Sequence, residues 1–386
     1  MKKFLLGSTA VMGAGLVASP AFAADGIKLS VGGYFRTAYQ VVFDDDDEGE
    51  AGNERNTDGF FSDAEIFFSG KTTLDNGLEV GARVELEGET DSDQIDEAWV
   101  SFSGGFGEVH IGSEDNALAN DCIMPPGGTS NFSAFSPNQW GANTFTTNSV
   151  CAGVDDRGDA QKIYYVTPNF GGFHMAFSYT PNGGDERHNV SGEVGGPHLG
   201  MPGNNDRESR HNVSLYATYE YEGEGWGLTA GAGAGFEGHV EQEVGADREE
   251  SDYYQAGLNL SFGNFGIGVV GEYFNDIASF DGDGADPAID RDGWAVGIGA
   301  AYTFDQFTLG AQYSHGENTL ERSEGGDDSS ANVDRFVLTG LYQLGPGIKI
   351  DGELAYTTQD TTGDDFGDGN DNYDAFEIGI GTNFSF

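Results

Sequence analysis

Positive charge is scarce in this sequence. Only 17 of its 386 residues are Lys or Arg, against 65 Asp or Glu, and the formal charge is −48. A polyanion repels phosphate backbones, and no local basic patch relieves it, so nucleic-acid binding is excluded. Cysteine is limited to Cys122 and Cys151, which rules out a disulfide-dense scaffold and any zinc or redox pair at short spacing. Beyond the first two dozen residues there is no long hydrophobic run, no Pro-rich linker and no helical period, and hydrophobic residues make up 37%. Membrane-spanning helices are therefore not expected. Catalytic signatures are missing too. Neither G-x-S-x-G nor H-E-x-x-H occurs, and the 7 His are scattered. Gly266-Ile267-Gly268-Val269-Val270-Gly271 matches a nucleotide-loop spacing, but it sits inside a strand pattern with no helix after it. No enzyme is expected.

What is abundant is glycine, with 62 residues, and aromatics, with 28 Phe, 16 Tyr and 4 Trp. That many rings is foreign to a disordered polyanion. Met1-Lys2-Lys3, an apolar stretch from Phe4 to Val17 and the small-residue end Ala21-Phe22-Ala23 make residues 1–23 a cleaved secretory signal; a buried N-terminal helix is the alternative. In an exported chain two cysteines suggest one disulfide, Cys122 to Cys151, with a pair of free thiols as the alternative.

From residue 24 to 386 one rhythm repeats, so a single domain is expected. Apolar residues alternate with polar ones or Gly, as in Leu78, Val80, Ala82, Val84 and Leu86 against Glu79, Gly81, Arg83, Glu85 and Glu87. This is the strand period. Hairpin turns such as Asp75-Asn76-Gly77, Gly263-Asn264 and Gly345-Pro346-Gly347 alternate with long acidic loops, in the manner of short and long connections on opposite sides of a membrane. Sixteen strands are expected, at 27–43, 60–74, 78–90, 95–103, 108–113, 160–168, 172–180, 210–222, 226–238, 251–262, 265–275, 291–304, 306–315, 332–344, 348–358 and 372–386. Most reach the roughly 9–11 residues that a spanning β-strand needs, and only a closed barrel satisfies every backbone group in lipid. The fold class is all-β, a transmembrane antiparallel up-and-down β-barrel. A soluble sandwich would need a polar outer face, which the aromatic alternation does not provide.

If the apolar positions face lipid, their neighbours line the lumen. Lys28, Arg36, Lys71 and Arg83 then form a basic wall on the first three strands, shared with Asp63, Glu65, Glu79, Glu85 and Glu87, with which some of the bases are expected to pair. Later inward positions are small: Gly231, Gly233, Gly235, Gly257, Gly266, Gly268, Gly297 and Gly299. They leave room for water or for a loop folded into the bore. The longest connection, 114–159, follows the fifth strand and carries both cysteines, a Pro125-Pro126-Gly127-Gly128 turn and acids at Glu114, Asp115, Asp121, Asp155, Asp156 and Asp159. Folded inward, those acids would face the basic wall across an eyelet. Folded over the outer mouth, they would merely be solvated.

Three segments resemble Gram-negative general diffusion porins. Phe106-Gly107-Glu108-Val109-His110-Ile111-Gly112 is similar to the strand leading into the constriction loop of that family. Tyr165-Val166-Thr167-Pro168-Asn169-Phe170-Gly171-Gly172-Phe173 resembles the hairpin that follows it. The ending Gly379 to Phe386, with Phe384 and Phe386, is similar to the signal read by the outer-membrane assembly machinery. The resemblance implies a homotrimeric pore of sixteen strands in a Gram-negative outer membrane, in contact with its lipid and lipopolysaccharide, whose third outer loop narrows the channel. The sequence departs from the family in lacking the Pro-Glu-Phe-Gly-Gly loop tip, in placing Tyr164 where a basic residue is common, and in a loop closed by a disulfide.

The expected function is passive diffusion of ions and small hydrophilic solutes through a water-filled channel, with preference for cations drawn by the acidic loops. The alternatives are a substrate-specific channel and a non-conducting structural or adhesive barrel. No cofactor and no ordered metal site are expected. The acidic tracts Asp44-Asp45-Asp46-Asp47-Glu48, Asp281-Gly282-Asp283 and Asp368-Gly369-Asn370-Asp371 suit only loose binding of divalent cations such as calcium.

Overall fold

The computed structural model describes residues 26–44, 57–88, 95–135, 151, 160–183, 210–238, 249–276, 289–322, 328–363 and 372–386. The signal segment 1–23, Asp155, Asp156, Asp159 and most of the three acidic tracts lie outside them.

Sixteen strands follow one another: β1 Lys28–Asp44, β2 Asp58–Thr73, β3 Glu79–Glu87, β4 Ile95–Gly104, β5 Gly107–Ser113, β6 Gln161–Val166, β7 Phe173–Asn182 and β8 Arg210–Glu222 make the first half. The second half is β9 Trp226–Gly238, β10 Ser251–Phe262, β11 Phe265–Asn275, β12 Ile289–Phe304, β13 Phe307–Arg322, β14 Ser329–Gly345, β15 Ile348–Thr362 and β16 Asn372–Ser385. Each pairs with its sequence neighbours, and β1 pairs with β16 from Tyr34↔Ser385 to Asp44↔Ala375, which closes the barrel. Closure leaves no sheet edge, the condition for crossing lipid with strands.

The faces separate as the alternation requires. On β16, Phe376, Ile378, Ile380 and Phe384 are 41–61% exposed to the outside, while Glu377 between them is fully buried on the inner side. On β14, Phe336 and Leu338 point outward, whereas Arg335 and Val337 are 1% exposed. The outer face is thus a continuous apolar surface suited to lipid.

Several strands outrun their apolar pattern. β13 continues past His315 to Arg322 and stays paired with both β12 and β14. The backbone ladder does not need apolar side chains once the strand leaves the hydrocarbon region, so the hydrogen bonds persist where the alternation fades. Between β3 and β4 the register shifts from Val84↔Ala98 to Leu86↔Ile95. Two residues, Asp96 and Glu97, therefore lie opposite Glu85, an extra-residue bulge that brings added carboxylate to this wall.

A candidate constriction inside the barrel

The connection after β5 enters the lumen. It opens with helix α1, Ala117–Asp121, capped by Asn116, whose side chain accepts from the amides of Leu118 at 2.9 Å and Ala119 at 3.3 Å. A polar side chain at that position satisfies donors that the first helical turn leaves unpaired. The root is held by β5 and β6. The Glu114 carboxylate lies 2.7 Å from His110 Nδ1, and its backbone carbonyl accepts from Lys162 Nζ.

From there the loop runs along the inner wall, strand by strand. Ala117 N donates to Ser178 on β7 and Ser214 on β8. Leu118 and Ile123 pack with Tyr216, Tyr253 and Phe274. Asn259 on β10 donates to Met124 O at 2.8 Å, and Thr339 on β14 to Gly127 O at 2.6 Å. Gln312 on β13, 5% exposed, clasps both limbs of the Pro-Pro-Gly-Gly turn. Its Oε1 accepts from Ala134 N at 2.9 Å and Ser133 Oγ at 3.0 Å, and its Nε2 donates to Pro125 O at 3.2 Å. Asn131 then reaches Asp351 on β15, and Arg36 on β1 donates to Ser130 O at 2.6 Å.

The inward glycines make this path sterically open. A Cβ at Gly257 would lie 2.8 Å from Ile123 Cβ, and one at Gly231 the same distance from Ile123 Cδ1. Side chains at Gly297, Gly299 and Gly310 would collide with Phe135, Pro126 and Gly127. Gly127 itself has φ of +111°, a conformation that L side chains rarely adopt, so only glycine fits that turn. Cys122 and Cys151 form a disulfide, with Cα atoms 5.7 Å apart, that ties the end of α1 to the returning limb.

The remaining arc carries a band of alternating rings and charges. The Arg36 guanidinium carbon lies 5.7 Å from both the Tyr34 and Phe61 ring centres, and Tyr34 is 6.1 Å from Phe67. Arg83 covers Phe67 at 4.5 Å. Arg83 is paired across the ladder with Trp99, which stacks on His110 at 4.0 Å and an interplanar angle of 7°, and His110 in turn lies 5.5 Å from Tyr164. The band meets the loop tip at Arg36 and the loop root at His110. Loop and band together encircle the lumen.

The bases of the wall find their carboxylates within it. Arg36 bonds Asp63 through Nε at 2.6 Å, Lys71 bonds Glu79 at 2.8 Å, and Arg83 pairs with Glu85, all within the wall. Lys28 stands opposite Lys71 in the β1–β2 ladder, towards the end of the barrel where the hairpin turn Asp75-Asn76-Gly77 lies. The loop acids sit near its root instead. Asp115 N donates to Glu97 Oε1 at 3.3 Å, and Asp121 accepts from Tyr164 OH at 2.8 Å. Burial raises the Asp121 carboxyl above its ordinary range, against the lowering effect of the Tyr164 bond. Tyr164 thus holds the loop by a hydrogen bond.

Two features were not read from the sequence. One is the ring band. Its members alternate correctly for the lumen, but inward aromatics look like strand formers until the barrel brings six strands together. The other is Arg335, whose guanidinium is 2.5 Å from Glu377 Oε1 and 3.7 Å from Glu353 Oε2, with Gln40 bridging the two carboxylates. Inward parity on β14 was the available signal. In addition, Glu65, Glu85 and Asp96 present carboxylate oxygens within 4.8 Å of one another. At the chain end Phe386 N donates to Gly33 O at 3.1 Å, while Phe384 and Phe386 expose their rings outward, by 44% and 71%.

Comparison with known proteins agrees with this architecture. The Gram-negative porin family matches residues 7–362. Curated relatives are a "Monosaccharide porin" of Halomonas sp. and a "Major outer membrane protein" of Halomonas elongata, each 24% identical over 396 aligned positions, covering 96% of this chain and 98% of the relative. Among solved structures, the trimer form of OmpT of Vibrio cholerae superposes with a TM-score of 0.59 at 15% identity, covering 94% of this chain and 100% of that one. The anion-selective porin from Comamonas acidovorans superposes with a TM-score of 0.55 at 19% identity, covering 93% and 100%. The chain belongs to the Gram-negative porin family and is an outer-membrane channel.

Proposed function

We propose that this porin passes small hydrophilic solutes and ions by passive diffusion and prefers cations. One observation carries the preference: the bases of this wall are matched by carboxylates on the wall itself, and further acids stand around them. Arg36, Lys71 and Arg83 have Asp63, Glu79 and Glu85. Asp96 on β4 adds a further carboxylate beside Glu65 and Glu85. A narrow opening lined by net negative charge concentrates cations. The reversal potential under a KCl gradient across a planar bilayer tests this, and an anion preference would refute it.

A second reading, selection of a particular solute class, is favoured by the ring band and by the similarity to a protein named a monosaccharide porin. A homotrimer is supported by the family and by the trimeric OmpT neighbour. Recognition of the exposed terminal Phe384 and Phe386 by the outer-membrane assembly machinery and loose divalent bridging between the acidic loops and lipopolysaccharide complete the proposal.

A further inference from the structure

We propose that Tyr34, Phe67, Arg83 and Trp99 form a binding subsite for a neutral monosaccharide on the arc of wall between the loop tip and the loop root. The inference rests on the channel reading and names its solute class.

Elsewhere on the inner wall the residues are small or polar, as at Gly268, Gln255 and Thr218, or, like Tyr216, Tyr253 and Phe274, are aromatics packed against the loop. Three half-buried rings on β1, β2 and β4, with Arg83 on β3 between the last two, stand out against that background. A pyranose has the matching anatomy: a flat face of C–H bonds that lies on aromatic rings, and a rim of hydroxyls that both donate and accept. The rim has partners here. Arg36 with Asp63 and Arg83 with Glu85 are ion pairs that present guanidinium donors beside carboxylate acceptors. Such planar pairs can each serve two neighbouring hydroxyls.

Charge argues against the other solute classes. An organic cation would meet the like charge of Arg36 and Arg83, whose guanidinium groups lie over Tyr34, Phe61 and Phe67. An anion would meet the carboxylates of Asp63, Glu85 and Asp96 on the same wall. A neutral polyol pays neither penalty, and the ring face then distinguishes a cyclic sugar from an open-chain one. Weak binding at the narrowest point favours passage, because a solute must be held long enough to enter and loosely enough to leave.

The test is ion-current block in planar bilayers, with D-glucose as probe and sorbitol, which shares the hydroxyls but lacks the ring, as comparison. Saturable block by glucose and weaker block by sorbitol are expected. Trp99→Ala and Phe67→Leu should each weaken glucose block by about tenfold, the order of one lost ring contact, while KCl conductance steps persist. Phe67→Leu keeps an apolar side chain beneath Arg83, so the test stands if Trp99→Ala fails to fold. Channel steps without saturable glucose block overturn the subsite but leave the pore intact. Equal block by sorbitol, stronger block by cationic glucosamine, or block unchanged in both variants overturns it as well. An absence of channel steps in the parent protein overturns the channel reading and the subsite with it.

Discussion

Asn131 and Asp351, 220 residues apart in sequence, are joined inside the barrel: Asn131 Nδ2 donates to Asp351 Oδ1 at 2.8 Å. Both are buried, and Phe132 beside them packs with Ala38 and Phe61. The loop tip is therefore anchored on the wall that closes the barrel.

Asp351→Ala should loosen that anchor. It leaves the Asn131 amide buried with a lost partner, a cost of about 1–3 kcal/mol. Because the barrel ladder is untouched, the protein should still fold and insert. Single-channel recordings should show a higher, noisier conductance, and a trace identical to the parent would count against the anchor.

Arg36→Ala removes the ion pair with Asp63 and the bond to Ser130 O together. With one positive charge gone near the constriction, cation preference should rise by about twofold at low salt, and the change should shrink in 1 M KCl, where the screening length is only about 3 Å. Reversal potentials at two salt concentrations report it.

Gly299→Val and Gly310→Val place side chains against Pro126 and Gly127. Overpacking of this kind costs about 1–3 kcal/mol, and the yielding partner is the loop rather than the barrel. The loop should move away from the wall and into the bore, lowering conductance and slowing sugar entry in liposome-swelling assays.

Reducing Cys122–Cys151, which are 29 residues apart, releases a closed chain segment whose tethering is worth about 3–4 kcal/mol on the chain-entropy account. The effect should be confined to the loop: greater current flicker after reduction, with unchanged resistance of the barrel to detergent. Mass analysis of the unreduced protein should show the cross-link.

Asp121 sets a pH dependence. Its carboxyl titrates higher in the folded protein than in the unfolded chain, so ionisation at neutral pH opposes burial and the penalty fades as pH falls through the raised value. Asp121→Asn keeps an acceptor for Tyr164 and drops the charge. The variant should resist thermal unfolding better than the parent at pH 7, and the gap should narrow towards pH 4.

Much of this protein is legible in its sequence because alternation is a local code. Phe376, Ile378 and Ile380 against Glu377 and Gly379 declare the two faces of β16, and Gly263-Asn264 marks the turn between β10 and β11. The small inward glycines leave room along the lumen wall, and the loop takes that room. The partners of each charge were less legible. Glu114 belongs to His110 and Asp121 to Tyr164, not to Lys28 or Lys71. Which charges meet depends on strand stagger, on the bulge at Asp96 and on the path of the loop, and none of these is written in residue spacing.

By itself, the sequence determined an all-β barrel, its strand number, its lipid and lumen faces and its family, since each follows from a two-residue period and short motifs that the chain carries locally. Only the tertiary structure decided that the loop lies along the wall from β7 round to β1, which carboxylate each base of the wall takes, and that Tyr34, Phe67, Arg83 and Trp99 share one band. Those arrangements arise when a closed sheet brings distant strands together, and the side chains then settle with the nearest compatible charge.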